Sequence, residues 1–486
     1  MHLLEIFFLI VLFTFLIAQN IKGLSRKISL SIFLIGAIIV LLTILMGQFR
    51  WQLTLAYLLY AILALTLLKK TSSRIALRST GVILGIILLI ISMTLALALP
   101  IVTLPKPDGP YVVGSRTFSL IDKSRDESYF GAPDEFRELY LQVWYPGRID
   151  KTPLSRPVRT LWAELYRGPR DPVTFITGYM QGIKTHTHEN IPFLKTGKSY
   201  PVIVFSHSLG LTAEQNTPLM EHLASHGYVA IGVSHTHMAL RVISSKGQAI
   251  YPDPDKVKEA FEEGAAIDKQ EYEVRLTRTH SAEERAEIIY ELGERAIVMN
   301  EQIAIRVADL RFVMDLVSNP SDAPPELSKL LEQTDSNRIG LMGMSLGGAT
   351  VIDTCKIDTR CRAGLNLDGG IFGQYLRRPL KIPFLSMVSA SNRKFDEPLL
   401  VNSTSDYYEV LVNGAKHGDF CDMTFLMPFM KWLGANGPID PWRVTDIVNT
   451  VSLSFFDAYL RDGPKPRFDR KVFPELRVTI NDQASK

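Results

Sequence analysis

The chain has 486 residues, 47% of them hydrophobic and 21% charged, with a formal net charge of +3; that length allows about three domains and ample core for a large one. The charge is unevenly spread. The first hundred residues hold Lys22, Arg26, Lys27, Arg50, Lys69, Lys70, Arg74 and Arg78 against the single acid Glu5, leaving 45 basic and 49 acidic residues beyond them. The basic balance thus belongs to an apolar leading region and implies no nucleic-acid partner, and three cysteines are too few for a disulfide-built scaffold.

Apolar runs at Ile6–Ala18, Ile28–Met46, Leu53–Leu68 and Thr80–Leu99 predict an all-α region, 1–100, of four transmembrane helices. The second and fourth approach the ~20 residues that cross a bilayer, and the first and third are shorter. None shows the polar stripe of a soluble core helix. The first run lacks a basic leader and no small-x-small site follows Ala18, which speaks against a cleaved signal peptide. Basic residues follow the first run (Lys22, Arg26, Lys27) and the third (Lys69, Lys70, Arg74, Arg78), whereas only Arg50 follows the second. The positive-inside bias then places everything after the fourth run on the extracytoplasmic side of a multi-pass protein, expected in the plasma membrane. Residues 101–110, rich in proline, read as a stiff linker.

Residues 111–486 alternate strand and helix patterns, as a doubly wound α/β sheet does. Gly114–Asp122 and Arg137–Pro146 read as antiparallel edge strands around a polar hairpin at 123–136, and 150–198 as irregular, with His186 and His188 in a loop. A β-α-β unit follows: strand 200–206, helix 216–226, strand 228–233. A charged helical insertion spans about 251–300, and an amphipathic helix covers 301–317. Strands at 339–342, 363–367, 384–388 and 407–412, the last of the series, are joined by helices, with further helices at 423–433 and 444–460. Cys355 and Cys361 could bridge in an oxidising compartment, though spacing alone does not establish it.

Gly343-Met-Ser-Leu-Gly347 sits between an apolar strand and a helix, the setting of a nucleophile elbow, and makes Ser345 the candidate nucleophile. A serine needs a base and the base an orienting carboxylate, in the chain order Ser, acid, His. His417 is the sole histidine after Ser345. Asp368, ending a strand in a Leu-Asp-Gly-Gly context, is favoured as the acid over Asp396, whose neighbours Asn392, Arg393, Lys394 and Glu397 suggest a solvated loop. Asp419 and Asp422 stand too close to His417 in the chain. Backbone N–H groups of Leu346 and Leu209 are candidates for the oxyanion hole. Ser208, in a pseudo-elbow without the first glycine, is a decoy, and Cys421 lacks the setting of a nucleophilic thiol. His235 and His237 are expected at the pocket rim; neither they nor His186 and His188 have a third ligand beside them, so no metal is expected.

From about Gly109 onward the chain resembles the platelet-activating-factor acetylhydrolase family, the calcium-independent group VII phospholipase A2 type. The resemblance rests on Val113-Gly-Ser-Arg-Thr117, Val143-Trp-Tyr-Pro146, Val204-Phe-Ser-His207, Leu223-Ala-Ser-His-Gly-Tyr228, Gly343–Thr350, Leu367-Asp368 and His417. It implies an α/β-hydrolase fold with Ser345, Asp368 and His417 as triad and Leu209 and Leu346 at the oxyanion hole. Ser208 stands where the family usually has glycine, and the leading helices lie outside the resemblance. The activity implied is that of a serine carboxylic-ester hydrolase without cofactor, which the four apolar helices are expected to anchor to a membrane. Its substrate would be a lipid or small ester, foremost short acyl chains on phospholipids of the 1-alkyl-2-acetylglycerophosphocholine type. The alternatives are a general small-ester or polyester hydrolase, or a serine peptidase or amidase on the same fold.

Overall fold

The computed structural model describes residues 3–21, 24–47, 49–68, 79–149, 158–267 and 270–481. The basic residues Lys22, Lys69, Lys70, Arg74 and Arg78, on which the predicted orientation leans, lie outside this set. The chain divides into two compact units, one formed by Met1–Thr103 with Arg170–Ile183 and Leu426–Phe429, the other by the remainder.

The first unit contains α1 (Leu3–Ala18), α2 (Arg26–Leu45), α3 (Thr54–Leu68), α4 (Ser79–Ala98) and, from its first excursion, α5 (Pro172–Ile176). Among the described residues, α2 and the Gly81–Ala98 part of α4 are long and apolar enough to cross a membrane, while α1 and α3, of 16 and 15 residues, are shorter. The expectation of four full-length spans is thus carried by length for two helices. α2 buries Ser29, Gly36 and Thr43 and exposes Ile38, Leu41 and Leu45. Glu5 and Arg50 form a buried ion pair at 3.2 Å, and Arg50 also donates to the carbonyl of Ala96 at 3.2 Å. The start of α1, the turn between α2 and α3 and the end of α4 therefore meet. Trp51 Nε1 donates to the Ile176 carbonyl at 2.9 Å, so a stretch read from sequence as irregular loop is part of this helical unit.

In the second unit the strands are β1 (Val112–Glu127), β2 (Ala132–Gly147), β3 (Val158–Thr160), β4 (Lys184–Glu189), β5 (Tyr200–Ser206), β6 (Val229–His235), β7 (Val242–Ile243), β8 (Ala249–Ile250), β9 (Thr334–Met344), β10 (Cys361–Leu367), β11 (Phe384–Val388), β12 (Tyr407–Val412) and β13 (Leu476–Asn481). Its helices are α6 (Thr217–Ser225), α7 (Pro254–Ile267), α8 (Gln270–Arg278), α9 (Ala282–Arg295), α10 (Ile297–Ser318), α11 (Pro325–Leu331), α12 (Leu346–Ile357), α13 (Glu397–Asn402), α14 (Met423–Leu426) and α15 (Pro441–Leu460). One sheet has the order β13-β12-β11-β10-β9-β5-β6-β2-β1-β4-β3, and β7 pairs only with β8. The run from β6 through β5 and β9 to β12 is parallel.

Four local expectations change. β1 and β2 extend into their connection, leaving only a turn at Ser128–Phe130, and they are not edges because β4 and β3 lie beyond β1. His186 and His188 belong to β4, which pairs with β1. β13 adds a strand after the expected last one, antiparallel to β12. The helix expected over 423–433 shrinks to α14 and a 3-10 turn at Pro428–Lys431, because Pro428 cannot donate within a continuing helix.

Strand alternation sorts the core. Val202, Val204, Ile339 and Leu341 face one side of the sheet with Leu310, Val313, Met314 and Val317 of α10. Ile203, Phe205, Met342 and Met344 face the other, with Leu219 and Leu223 of α6 and Val444, Val448, Phe455 and Phe456 of α15. Each fully buried side chain of this kind contributes about 1.5–3 kcal/mol. From β5 the chain steps to β6 and later returns to β9 on the opposite side of β5. The carboxyl ends of β5 and β9 therefore flank a topological switch point, where α/β sheets place their ligands.

Candidate active site

β9 ends at Met344 and α12 begins at Leu346, so Ser345 alone makes the turn. Its φ of 56° and ψ of −123° lie in a region that costs an L-residue about 1–3 kcal/mol, a strain that persists only where the surroundings impose it. Here they do. A Cβ on Gly343 would lie 2.2 Å from the Gly347 carbonyl oxygen, and one on Gly347 would lie 2.0 Å from that of Ser206. The pentapeptide can close only with glycine at both places.

The turn delivers Ser345 Oγ to 3.0 Å from His417 Nε2, and His417 Nδ1 lies 2.8 Å from Asp368 Oδ2. A carboxylate only accepts, so Nδ1 carries the proton and Nε2 offers its lone pair to the serine hydroxyl. The imidazole is 45% exposed and the Asp368 side chain fully buried, which leaves the ring reachable from solvent and the carboxylate sealed behind it. Asp368 also accepts from the Ser389 backbone N–H at 2.6 Å, from Ser389 Oγ at 3.1 Å and from Asn392 Nδ2 at 2.9 Å. Ser389 carries no signal in the sequence, and Asn392 reads there only as part of a solvated loop. They stand just after β11, one strand over from Asp368, a relation that only the sheet order creates.

The loop carrying His417 is pinned from both sides. Asp419 accepts from the N–H groups of Lys416 at 2.9 Å and Gly437 at 2.6 Å. Asp422 accepts from Thr217 N at 3.0 Å, and Asn216 Nδ2 donates to the Phe420 carbonyl at 2.7 Å. Both aspartates thus shape the loop and do not face the imidazole. Cys421 is buried, and burial pushes its thiol up to about 12, so it is no thiolate at neutral pH.

Leu346 is the first residue of α12, where helix N–H groups lack intrahelical acceptors and the dipole favours negative charge. Leu209 packs onto the cluster of Leu346, Ala349, Ile303 and Val307. Among the described residues, neither leucine's N–H is taken by a hydrogen bond. Ser208, by contrast, spends both its N–H and its hydroxyl on Gln215 Oε1, at 2.8 and 2.9 Å. The residue that departs from the family's glycine is therefore anchored by the loop that follows it.

Beneath this loop lies a second Ser-His-Asp chain. Ser206 Oγ is 2.9 Å from His235 Nε2, and His235 Nδ1 is 2.8 Å from Asp309 Oδ2. All three residues are fully buried, which denies them a substrate. Arg137 grips Asp309 through Nε and Nη2, at 3.0 and 2.6 Å, and reaches Glu127 at 3.0 Å. Burial opposes the charge on Asp309, but the guanidinium beside it outweighs that effect and holds its carboxyl far below the usual range. Burial pushes His235 down to about 4. The His235 backbone N–H donates to His207 Nε2 at 3.1 Å, and Arg306 donates to the His207 carbonyl at 2.6 Å. The network clamps the strand end that leads into Ser208 and Leu209. His235 is thus corrected from pocket rim to buried support, while His237 stacks on Phe130 with ring centroids 4.9 Å apart. A signal existed: Gln302, Arg306 and Asp309 form a polar stripe at helical spacing on α10, and all three are buried.

Asp396 is not in a solvated loop. It ends the 3-10 turn Arg393–Asp396, which turns it inward, where it is fully buried and accepts from Tyr407 Oη at 2.7 Å. Cys355, at the end of α12, and Cys361, at the start of β10, are joined by a disulfide.

Comparison with known proteins agrees with this architecture. The family described as platelet-activating factor acetylhydrolase, isoform II, matches residues 98–466. The platelet-activating factor acetylhydrolase of Cavia porcellus is 25% identical over 415 residues, covering 79% of this chain and 86% of that protein. The protein of the same name from Canis lupus familiaris is 24% identical over 393 residues, covering 76% and 79%. Among solved structures, a ferulic acid esterase from Streptomyces cinnamoneus superposes with a TM-score of 0.58 at 23% identity, over 78% of this chain and 99% of that one; at that identity the likeness concerns the fold.

Proposed function

The chain belongs to the platelet-activating factor acetylhydrolase family and is a carboxylic-ester hydrolase; on that premise we propose that it works through a Ser345–His417–Asp368 triad on phospholipids with short acyl chains. The observation that carries the reading is the unbroken hydrogen-bonded path from Ser345 Oγ through His417 to Asp368 at the open end of β9. His417 Nε2 takes the hydroxyl proton as Oγ attacks the ester carbonyl. The N–H groups of Leu346 and Leu209 receive the oxyanion, and Asp368 balances the imidazolium. His417 then hands its proton to the departing alcohol oxygen. Water, deprotonated by the same nitrogen, frees the acyl group and restores the serine. No metal or cofactor enters these steps.

The relatives' name supports an acetylated ether phospholipid as the substrate, and attachment to a membrane would hold the site near it. Support for attachment comes from α2 and α4, whose length and apolarity suffice to span. Further support comes from the inverted burial of α2, small and polar residues inward and isoleucine and leucine outward. In this reading α1 and α3 complete a four-helix membrane region. The hydrolase unit faces the extracytoplasmic side, where the Cys355–Cys361 bridge would persist.

A fluorophosphonate probe and a lipid panel test this. The intact protein should be labelled and should cleave 2-acetyl phosphatidylcholines far faster than long-chain ones. Ser345→Ala should abolish labelling and lower kcat/KM by at least about 10⁴-fold, while Ser208→Ala should label normally. Labelling that survives Ser345→Ala would refute the triad, and equal turnover of short and long chains would refute the substrate.

A further inference from the structure

Away from the triad, helix α6 carries two histidines one turn apart, His222 and His226, in its last turn and at its end. The linker brings Asp108 onto them. Asp108 Oδ1 lies 3.0 Å from His222 Nδ1 and 3.7 Å from His226 Nε2, and one donor atom from each residue falls within 4.8 Å of the other two. From these atoms we infer a divalent-metal site of the zinc class, with His222, His226 and Asp108 as its protein ligands.

The linker is built to hold its ligand there. Gly109 N donates to Ser225 Oγ at 3.2 Å and Tyr111 N to the Ser225 carbonyl at 3.0 Å, so the two residues flanking Pro110, the first of them next to Asp108, are tied to the end of α6. A Cβ on Gly109 would lie 2.3 Å from that same carbonyl oxygen, so only glycine allows the approach. The aspartate is thereby presented at a fixed place, as a metal ligand must be.

The histidine tautomer points the same way. His226 Nδ1 is 2.9 Å from the His222 carbonyl, which can only accept, so Nδ1 carries the proton. Such a bond, on the ring nitrogen away from the ion, is what orients a metal-binding imidazole. It leaves the Nε2 lone pair directed at a carboxylate oxygen, and two electron-rich atoms facing each other call for a cation between them. A proton on Nε2 would serve poorly, because 3.7 Å is too long for an N–H···O hydrogen bond. Zinc holds nitrogen and carboxylate oxygen at about 2.0–2.2 Å in a tetrahedron. With the Asp108 side chain 77% exposed and that of His226 23% exposed, both can close on an ion, and solvent can supply the fourth ligand. Arg461 already occupies the His226 and Gly227 carbonyls, so the metal is left to the side chains. The ion would clip the linker to α6, and this role is separate from the ester chemistry.

Tag-free, full-length protein, stripped with chelator and exchanged into metal-free buffer, should bind one equivalent of Co²⁺ with the visible absorption of a tetrahedral site, and Zn²⁺ should displace it. Asp108→Asn and His226→Asn, both at accessible side chains, should each weaken binding by at least about tenfold. Chelation should lower the Tm of the wild type and leave that of the double variant unchanged, with turnover at Ser345 unaffected in both. Absence of stoichiometric Co²⁺ or Zn²⁺ binding would overturn the site. So would equal binding by the wild type and the double variant.

Discussion

Asn392 illustrates how much of the proposed triad rests on a residue outside it. Its amide donates to both the carboxylate and the carbonyl of Asp368, at 2.9 and 3.1 Å, and so holds the carboxylate that holds the His417 ring. Asn392→Ala should lower kcat by about 10- to 100-fold, the scale expected of a small misplacement, with KM nearly unchanged. Steady-state kinetics on a short-chain ester will check this, and a rise in KM at constant kcat would contradict it. Asp396 makes the opposite case of a carboxylate without chemistry. Burial pushes it up to about 8, whereas an unfolded chain releases that proton near pH 3.9. Its stabilising contribution is therefore full below about pH 4, declines as the unfolded state ionises, and is lost as pH rises through about 8. Asp396→Asn should gain on the wild type in unfolding experiments as pH is raised from 5 to 8.5. A difference independent of pH would refute this assignment.

Among the elements, the turn between β9 and α12 leaves no room for side chains at its glycines. β5 is hydrogen-bonded to β6 on one side and β9 on the other, so its Ser206 carbonyl cannot retreat from a side chain placed at Gly347. Gly347→Ala should destabilise by about 1–3 kcal/mol or more and should reduce fluorophosphonate labelling as Ser345 is displaced. A wild-type Tm with full labelling would show that the approach is softer than its 2.0 Å distance implies. This turn could be read from the sequence because its constraint is local, a strand and a helix separated by one strained residue between glycines. The strand of His186 and His188 could not, since β4 exists through its pairing with β1 and β3 and its polar sequence carries no strand signal of its own.

At the scale of the molecule, the helices of the first unit turn isoleucine and leucine outward and bury Ser29, Thr43 and Ser92, the reverse of a water-soluble bundle. The full chain should remain with membranes through an alkaline carbonate wash and come away only in detergent; release by carbonate alone would exclude a span. In intact cells, protease added outside should cut the hydrolase unit, and protection there would reverse the proposed orientation. Among the described residues, only α2 and the Gly81–Ala98 part of α4 reach spanning length by themselves. The buried Glu5–Arg50 pair ties them to the shorter α1 and α3.

The sequence by itself determined what depends on neighbours along the chain: the strand–Ser345–helix turn, the parallel strands with their apolar runs, and the apolarity of the first hundred residues. A lone histidine after Ser345 and a strand-ending aspartate narrowed the partners by elimination. Tertiary structure decided whatever needs residues distant in sequence to meet. Asn392 and Ser389 reach Asp368 because β11 lies beside β10, and His235 reaches Asp309 because α10 packs on the sheet. Asp108 reaches His222 because a glycine lets the linker approach Ser225. Such contacts leave no periodicity in the chain, since their spacing is set by the order of strands in the sheet and not by the order of residues.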